Sequence, residues 1–232
     1  MPLPDENSRS EDFCQKQQSL LLLHLKAVLT YNRTKNLTSI KDLEAGKVLH
    51  IQDSLAVLPE LAQAPGGTMA DLGSGAGYPG LPLALLSGRQ AVLIEANKKK
   101  ARFLKDFVDA QGLAQHIGVA AMRSEDLARE QRDAFAVVVA RAVAALPTLL
   151  ELAAPLLAQG GRFLALKGRP EASEITRGIE AAEKLGMTPL DIRHYSLSDN
   201  ITQRCVLVYT KTCEPQIELP RRPGVAAKHP LT

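Results

Sequence analysis

Four glycines fall within eight positions at Gly73-Ser74-Gly75-Ala76-Gly77-Tyr78-Pro79-Gly80, with Asp71 just before them and a leucine-rich run just after. Glycine has no Cβ and accepts positive φ, so such a loop turns sharply after a strand and sets its backbone against a ligand. Gly75 to Gly80 also satisfies the dinucleotide pattern G-x-G-x-x-G, a weak signal on its own. Asp71 helps to separate the candidates. A pyrophosphate seated on the following helix would meet that negative charge. S-adenosylmethionine carries an ammonium and a sulfonium and no phosphate, and the carboxylate suits it. Asp71, Gly75 and Gly77 are therefore assigned to binding S-adenosylmethionine.

A second carboxylate, Glu95, closes the apolar run Ala91-Val92-Leu93-Ile94 about 20 residues beyond the first glycine, where an acidic side chain accepts both ribose hydroxyls of a nucleoside. NAD enzymes use the same arrangement, so Glu95 points to a nucleoside without choosing the nucleotide. Arg123-Ser124-Glu125-Asp126 follows a third apolar run. There an N–H and a carboxylate can meet the adenine edge, and Ser124 and Asp126 can also cap the next helix, since the two uses take different atoms. Arg141 ends a fourth run, beside the methionine end of the cofactor or the substrate. Lys98, Lys99 and Lys100 occupy the first turn of a helix, against its macrodipole. Phosphate contacts with a nucleic acid would offset that cost, and the tail Pro220-Arg221-Arg222-Pro223-Gly224 adds a second basic element. Charge alone equally allows a solvated helix start and a loose tail.

These residues need strands and helices to hold them. Helical spacing covers about Ser10 to Asn32, a second apolar stretch covers Leu49 to Leu61, and Pro65-Gly66-Gly67 breaks it, so residues 1–65 read as a helical N-terminal extension. Beyond it, strand candidates Thr68 to Leu72, Ala91 to Glu95, Ile117 to Met122, Phe135 to Ala140 and Arg162 to Lys167 alternate with helix candidates. That rhythm predicts a mainly parallel sheet with crossover helices over residues 66–213. Asn97 caps a helix with Phe103, Leu104, Phe107 and Val108 on its core face, and Leu146 to Leu157 forms another. Asp191 to Leu197 and Cys205 to Lys211 form a closing hairpin, and 214–232 is a basic tail.

With 232 residues, 45% hydrophobic and a net charge of +3, the chain has the composition of a soluble globular protein with one core. Its start lacks the basic region of a signal peptide, and Leu20 to Leu23 is too short to span a bilayer, so a cytoplasmic protein with no membrane contact is expected. Cys14, Cys205 and Cys213 show no C-x-x-C spacing, which argues against a disulfide framework and a metal site.

Over most of its length the chain resembles the glucose-inhibited division protein B family of bacterial rRNA guanine-N7 methyltransferases. The resemblance rests on Asn36-Leu37-Thr38-Ser39-Ile40, His50 to Leu55, the glycine loop, Lys99-Lys100 with Phe103-Leu104, Arg141-Ala142-Val143, Leu164 to Gly168 and Pro220 to Gly224. It implies a Rossmann-like class I S-adenosylmethionine-dependent methyltransferase with a seven-stranded sheet and helices on both faces. It also implies transfer of a methyl group to N7 of one guanine in a decoding-region loop of 16S rRNA in the small ribosomal subunit. Carried over by position, the family's cofactor contacts fall on Gly73, Tyr78, Ser124, Glu125 and Arg141. The family often has phenylalanine or leucine where Tyr78 stands, and alanine or valine where Ser124 stands. Guanine N7 already presents a lone pair, so no general base is needed, and catalysis rests on alignment and electrostatics. Arg141 and Lys167 are expected to orient the RNA near the methyl group, while His50 and Asp53 fix the extension to the core. Lys98, Lys99, Lys100, Arg221 and Arg222 are expected to contact rRNA, and Tyr78 offers a stacking face. The expected state is a monomer. Two alternatives stand beside this reading: a non-catalytic RNA-binding assembly factor on the same fold, and an NAD-dependent oxidoreductase.

Overall fold

The computed structural model describes residues 6–231, with side chains from residue 15 onward. Met1 to Asp5, Thr232 and the Cys14 side chain, on which parts of the leader and thiol expectations rest, lie outside the described residues. Seven strands form one sheet in the order β3-β2-β1-β4-β5-β7-β6. They are β1 (Met69–Leu72), β2 (Ala91–Ile94), β3 (Ile117–Ala120), β4 (Phe135–Arg141), β5 (Leu157–Lys167), β6 (Met187–Ser196) and β7 (Gln203–Lys211). The first five are parallel, and β7 runs antiparallel to both β5 and β6. Central strands buried on both faces read as continuous apolar runs. In β4, Val137 and Val139 enter one core while Val138 and Ala140 enter the other.

Helices cover both faces. Toward the first core lie α1 (Glu6–Asn32), α2 (Leu43–Gly46), a π-helical turn at Lys47–Gln52, α3 (Asp53–Leu55), α4 (Leu58–Ala62), α5 (Gly80–Ser87) and α6 (Lys98–Ala110). Leu21, Val28, Val57 and Leu61 of the N-terminal helices share this core with Met69, Leu81 and Leu93. On the other side lie α7 (Ser124–Glu130), α8 (Leu146–Ala153) and α9 (Ala172–Lys184), and α10 (Val225–Lys228) packs on α8. Asn97 caps α6 as expected, its side chain accepting from the N–H groups of Lys99 and Lys100.

Three features of the C-terminal half bear on the site. Helix α8 ends at Ala153 rather than Leu157, because Pro155 breaks it, and Leu157 already pairs with Phe135 as the first residue of β5. β6 starts at Met187, ahead of Asp191. Residues 214–231, the basic tail of the sequence reading, pack across α7 and α8 through long-range bonds such as Thr148 Oγ1 to Ala226 O at 3.1 Å.

Arginines tie the N-terminal helices to the sheet. Arg89 donates to the carbonyls of Leu61, Ala64 and Pro65 at 2.6–3.0 Å, where α4 ends. Arg193 on β6 pairs with Glu60 and donates to Ala56 O. Among the described residues no helix is long and apolar enough to cross a membrane.

Candidate active site

Ligands of such sheets bind beyond the carboxyl ends of the strands. There the chain forms a cavity of about 470 Å³ over β3, β2, β1 and β4, lined by the glycine loop, Glu95, Ser124, Glu125 and Arg141. The loop is built by local bonds. Gly73 and Ser74 both donate to Ile94 O at 3.0 Å, Ser74 Oγ donates to Asp71 O, and Tyr78 N–H returns to Ser74 O. Gly73 has φ +73°, and a Cβ there would lie 2.6 Å from Val143 Cγ2, so glycine is required on both counts. A Cβ on Gly75 would meet nothing closer than Gly73 O at 3.9 Å, so that position stays open on the cavity side.

Asp71, placed at the cofactor by its charge, does not line the cavity. It is fully buried behind the loop, and its Oδ2 accepts the Gly80 N–H at 3.0 Å while Oδ1 has no hydrogen-bond partner among the described residues. Burial raises its pKa to about 6. A Cβ on Gly80 would lie 2.5 Å from Asp71, so glycine permits this clamp between the two ends of the loop. Gly77 also faces away from the cavity, against His24 and Leu104.

Glu95 is where the sequence placed it. Its Oε2 accepts from Gly75 N–H at 2.9 Å and its Oε1 from Asn97 N–H at 2.6 Å, which leaves further lone pairs for ribose hydroxyls. Ser124 and Glu125 line the far end, Ser124 Oγ donating to Glu125 Oε2 at 3.2 Å. The capping role does not hold, since Arg123 is the N-cap residue, without a side-chain cap, and Asp126 pairs with exposed Arg129. Glu125 Oε1 accepts instead from Gly224 N–H at 2.9 Å, across 99 residues of sequence.

Tyr78 lines the near end, but its ring is not free to stack on a base. His50 lies parallel to it, centroids 4.4 Å apart, and His24 covers it from behind at 4.9 Å. His50 Nδ1 faces the Arg141 guanidinium at 3.3 Å, so that nitrogen accepts and Nε2–H donates to Thr38 Oγ1 at 3.0 Å. Burial and the Arg141 charge lower the His50 pKa to about 4, so the ring is neutral near pH 7. Arg141 also donates to Leu49 O and to Asp53 Oδ2 at 3.1 Å. Buried Asp53 accepts from Arg204 and from the Tyr195 hydroxyl as well, and so joins the extension to β4, β6 and β7.

A second cavity of about 460 Å³ adjoins the first over β4, β5 and β7, lined by Ser39, Ile40, Lys167 and Arg204 and sharing His50, Arg141 and Ala142 with it. Lys167 is braced there by Glu174 and by Ala144 O. Ala142 at the shared wall has φ +55°, an uncommon conformation for a residue with a Cβ, and nothing in the sequence signalled it. Lys98 and Lys99 are exposed and Lys100 reaches the first cavity; none of the three has an ion-pair partner among the described residues. Arg222 is exposed. Arg221, expected on an RNA-facing tail, is instead drawn in by the buried carboxylate of Glu151 and by His229 O. Sequence reasoning missed His24 and the tail segment Gly224 to Ala227, whose partners are too distant in sequence to leave a local pattern.

Strand order, glycine loop and terminal carboxylate together define a class I S-adenosylmethionine-dependent methyltransferase fold. A geranyl diphosphate methyltransferase solved in complex with SAM superposes with a TM-score of 0.55 at 14% identity, over 69% of this chain and 85% of that one. The [4+2]-cyclase SpnF matches as well, with a TM-score of 0.56 at 13% identity over 69% of this chain and 81% of its own, so the fold by itself does not fix the reaction. The family model for GidB, rRNA small subunit methyltransferase G, matches residues 17–203. Proteins named ribosomal RNA small subunit methyltransferase G are similar along most of the chain. That of Desulfitobacterium hafniense is 37% identical over 90% of this chain and 87% of its own length, and that of Geobacillus kaustophilus is 31% identical over 90% and 88%. The chain belongs to the rRNA small subunit methyltransferase G family, enzymes that use S-adenosylmethionine.

Proposed function

We propose that the protein transfers the methyl group of S-adenosylmethionine to N7 of a single guanine in a decoding-region loop of 16S rRNA, acting in the cytoplasm as a monomer. The observation that carries this reading is the pair of cavities meeting at Arg141 and Ala142 in a chain of this family. The first cavity suits the cofactor, being open at Gly75 and bordered by the Glu95 carboxylate. Gly73, Gly75, Tyr78, Glu95, Ser124, Glu125 and Arg141 would hold it; Asp71 and Gly77 support the loop from behind. When bound, the cofactor supplies an electrophilic methyl on a sulfonium.

The second cavity then takes the acceptor. A-form RNA hides guanine N7 in a deep groove, so the base must come from a loop or be turned out of its stack. N7 attacks through an existing lone pair. No residue has to remove a proton, which agrees with a neutral His50 whose ring nitrogens are both engaged. Arg141, Lys167 and Arg204 face the two carboxylates of Asp53 and Glu174, and the net positive charge left on this side orients a phosphate-bearing substrate. Lys98 and Lys99 extend that potential along the face of α6, and Arg222 remains free to join it.

The test is transfer of labelled methyl from S-adenosylmethionine to small subunits and to naked rRNA, both from cells lacking the protein, followed by mapping. Label at one guanine N7 supports the proposal. Absence of transfer to either substrate, with cofactor bound, favours a non-catalytic RNA-binding factor.

A further inference from the structure

We propose that residues 221–229 form a strap that completes the cofactor site, walling the cavity at its Ser124–Glu125 end and contributing directly to the affinity for S-adenosylmethionine. The proposal rests on the cofactor reading above and reassigns a segment whose composition suggested an RNA-binding arm.

Four observations carry it. Gly224, Ala226 and Ala227 line the cavity itself, together with Thr148 and Leu152 of α8. The strap is knotted to a cavity residue, since the Gly224 N–H donates to Glu125 Oε1 at 2.9 Å. It is fastened beneath, because Thr148 Oγ1 donates to Ala226 O at 3.1 Å and Ala226 is 3% exposed. Finally, Arg221 closes the strap on itself. Its guanidinium grips the Glu151 carboxylate, buried on α8, and donates to His229 O at 2.8 Å, eight residues further on. A planar fork can serve a carboxylate and a carbonyl at once, which a lysine ammonium does less well.

The sequence fits this use. Gly224 adopts φ +83° with open space where a Cβ would go, so glycine is needed there for backbone conformation, to aim its N–H at Glu125. The residues facing the cavity are then glycine and alanine, which expose backbone and leave room for a flat ring. Glu125 thus acts in two ways, as a lining group and as the post that holds the strap. Part of the basic character that suggested phosphate contact is accounted for by Glu151, which takes Arg221, while Arg222 and Lys228 are exposed.

The experiment is calorimetric titration of the full-length protein with S-adenosylhomocysteine. Ala227→Phe adds bulk at the cavity lip without removing any of the strap's bonds, and should weaken binding roughly tenfold or more, equivalent to at least about 1.4 kcal/mol, with the melting temperature unchanged. Arg221→Met combined with Glu151→Met unfastens the strap without leaving a buried charge unpaired, and should weaken binding comparably. Wild-type affinity in both Ala227→Phe and the double variant would overturn the proposal, as would a loss confined to rRNA binding with a flattened salt dependence, which marks an RNA arm. Failure of the wild-type protein to bind S-adenosylhomocysteine would overturn the cofactor reading on which the strap depends, an outcome distinct from failure of the strap alone.

Discussion

Replacing Asp71 by asparagine isolates the cost of keeping a charge behind the glycine loop. The side chain is fully buried, one oxygen takes the Gly80 N–H and the other has no hydrogen-bond partner among the described residues, and burial raises the pKa from 3.8 to about 6. Because the folded-state pKa lies above the unfolded one, the stability this group contributes is fully present below about pH 3.8 and is lost as the pH rises through 6. About two pKa units at 1.36 kcal/mol each amount to about 3 kcal/mol. An asparagine side chain keeps an oxygen for Gly80 and does not titrate. The unfolding free energies of wild type and Asp71→Asn, measured by urea titration and circular dichroism from pH 4 to pH 8, should therefore diverge by about 2–2.5 kcal/mol in favour of the variant as the pH rises, the rest of the difference falling below pH 4. His24 and His50, whose pKa values are lowered to about 3 and about 4, act in the opposite sense below pH 6.5, but they are common to both proteins and cancel in the difference. A difference that stays flat with pH would refute the argument.

Three other perturbations reach different parts of the site. Lys98→Ala with Lys99→Ala should weaken rRNA binding and reduce the slope of log affinity against log salt by about 0.7–0.9 for each phosphate no longer neutralised, with the affinity for S-adenosylhomocysteine unchanged; an unaltered slope in filter binding would remove both lysines from the RNA surface. Gly73→Ala places a Cβ 2.6 Å from Val143 Cγ2 at φ +73°. It should cost about 1–2 kcal/mol in backbone conformation alone, read as a lower melting temperature together with weaker cofactor binding. Asp53→Ala leaves Arg141 and Arg204 without their shared carboxylate and should destabilise the fold by about 3–5 kcal/mol, measured by denaturant unfolding.

What is legible in the sequence is what neighbouring residues determine. Strands β1 to β5 show as apolar runs ending in polar residues, because both faces of a parallel sheet are covered, and Asn97 announces α6 through an interaction spanning three positions. The end of α8 is obscured because Leu156 and Leu157 continue its apolar pattern while Pro155 stops the backbone. Asp71 points toward the ligand in the sequence because its charge is visible there and its burial is not; the missing Cβ of Gly80 that admits the carboxylate matters only in three dimensions. Arg221 reads as a surface cation until Glu151, 70 positions away, is seen beneath it. The division at residue 65 remains a proposal, since the helices before it share one core with the sheet.

That shared core bears on the order in which the chain can fold during synthesis. Helices α2, α3 and α4 have four, three and five residues, too few to persist alone in water. The guanidiniums that donate to the carbonyls of this segment belong to Arg89, Arg141 and Arg193, all made later. The bonds that fix this segment therefore cannot all close until β6 has been synthesised, 137 positions after Ala56, and the wall that Leu37 and His50 give the first cavity depends on chain made well after them.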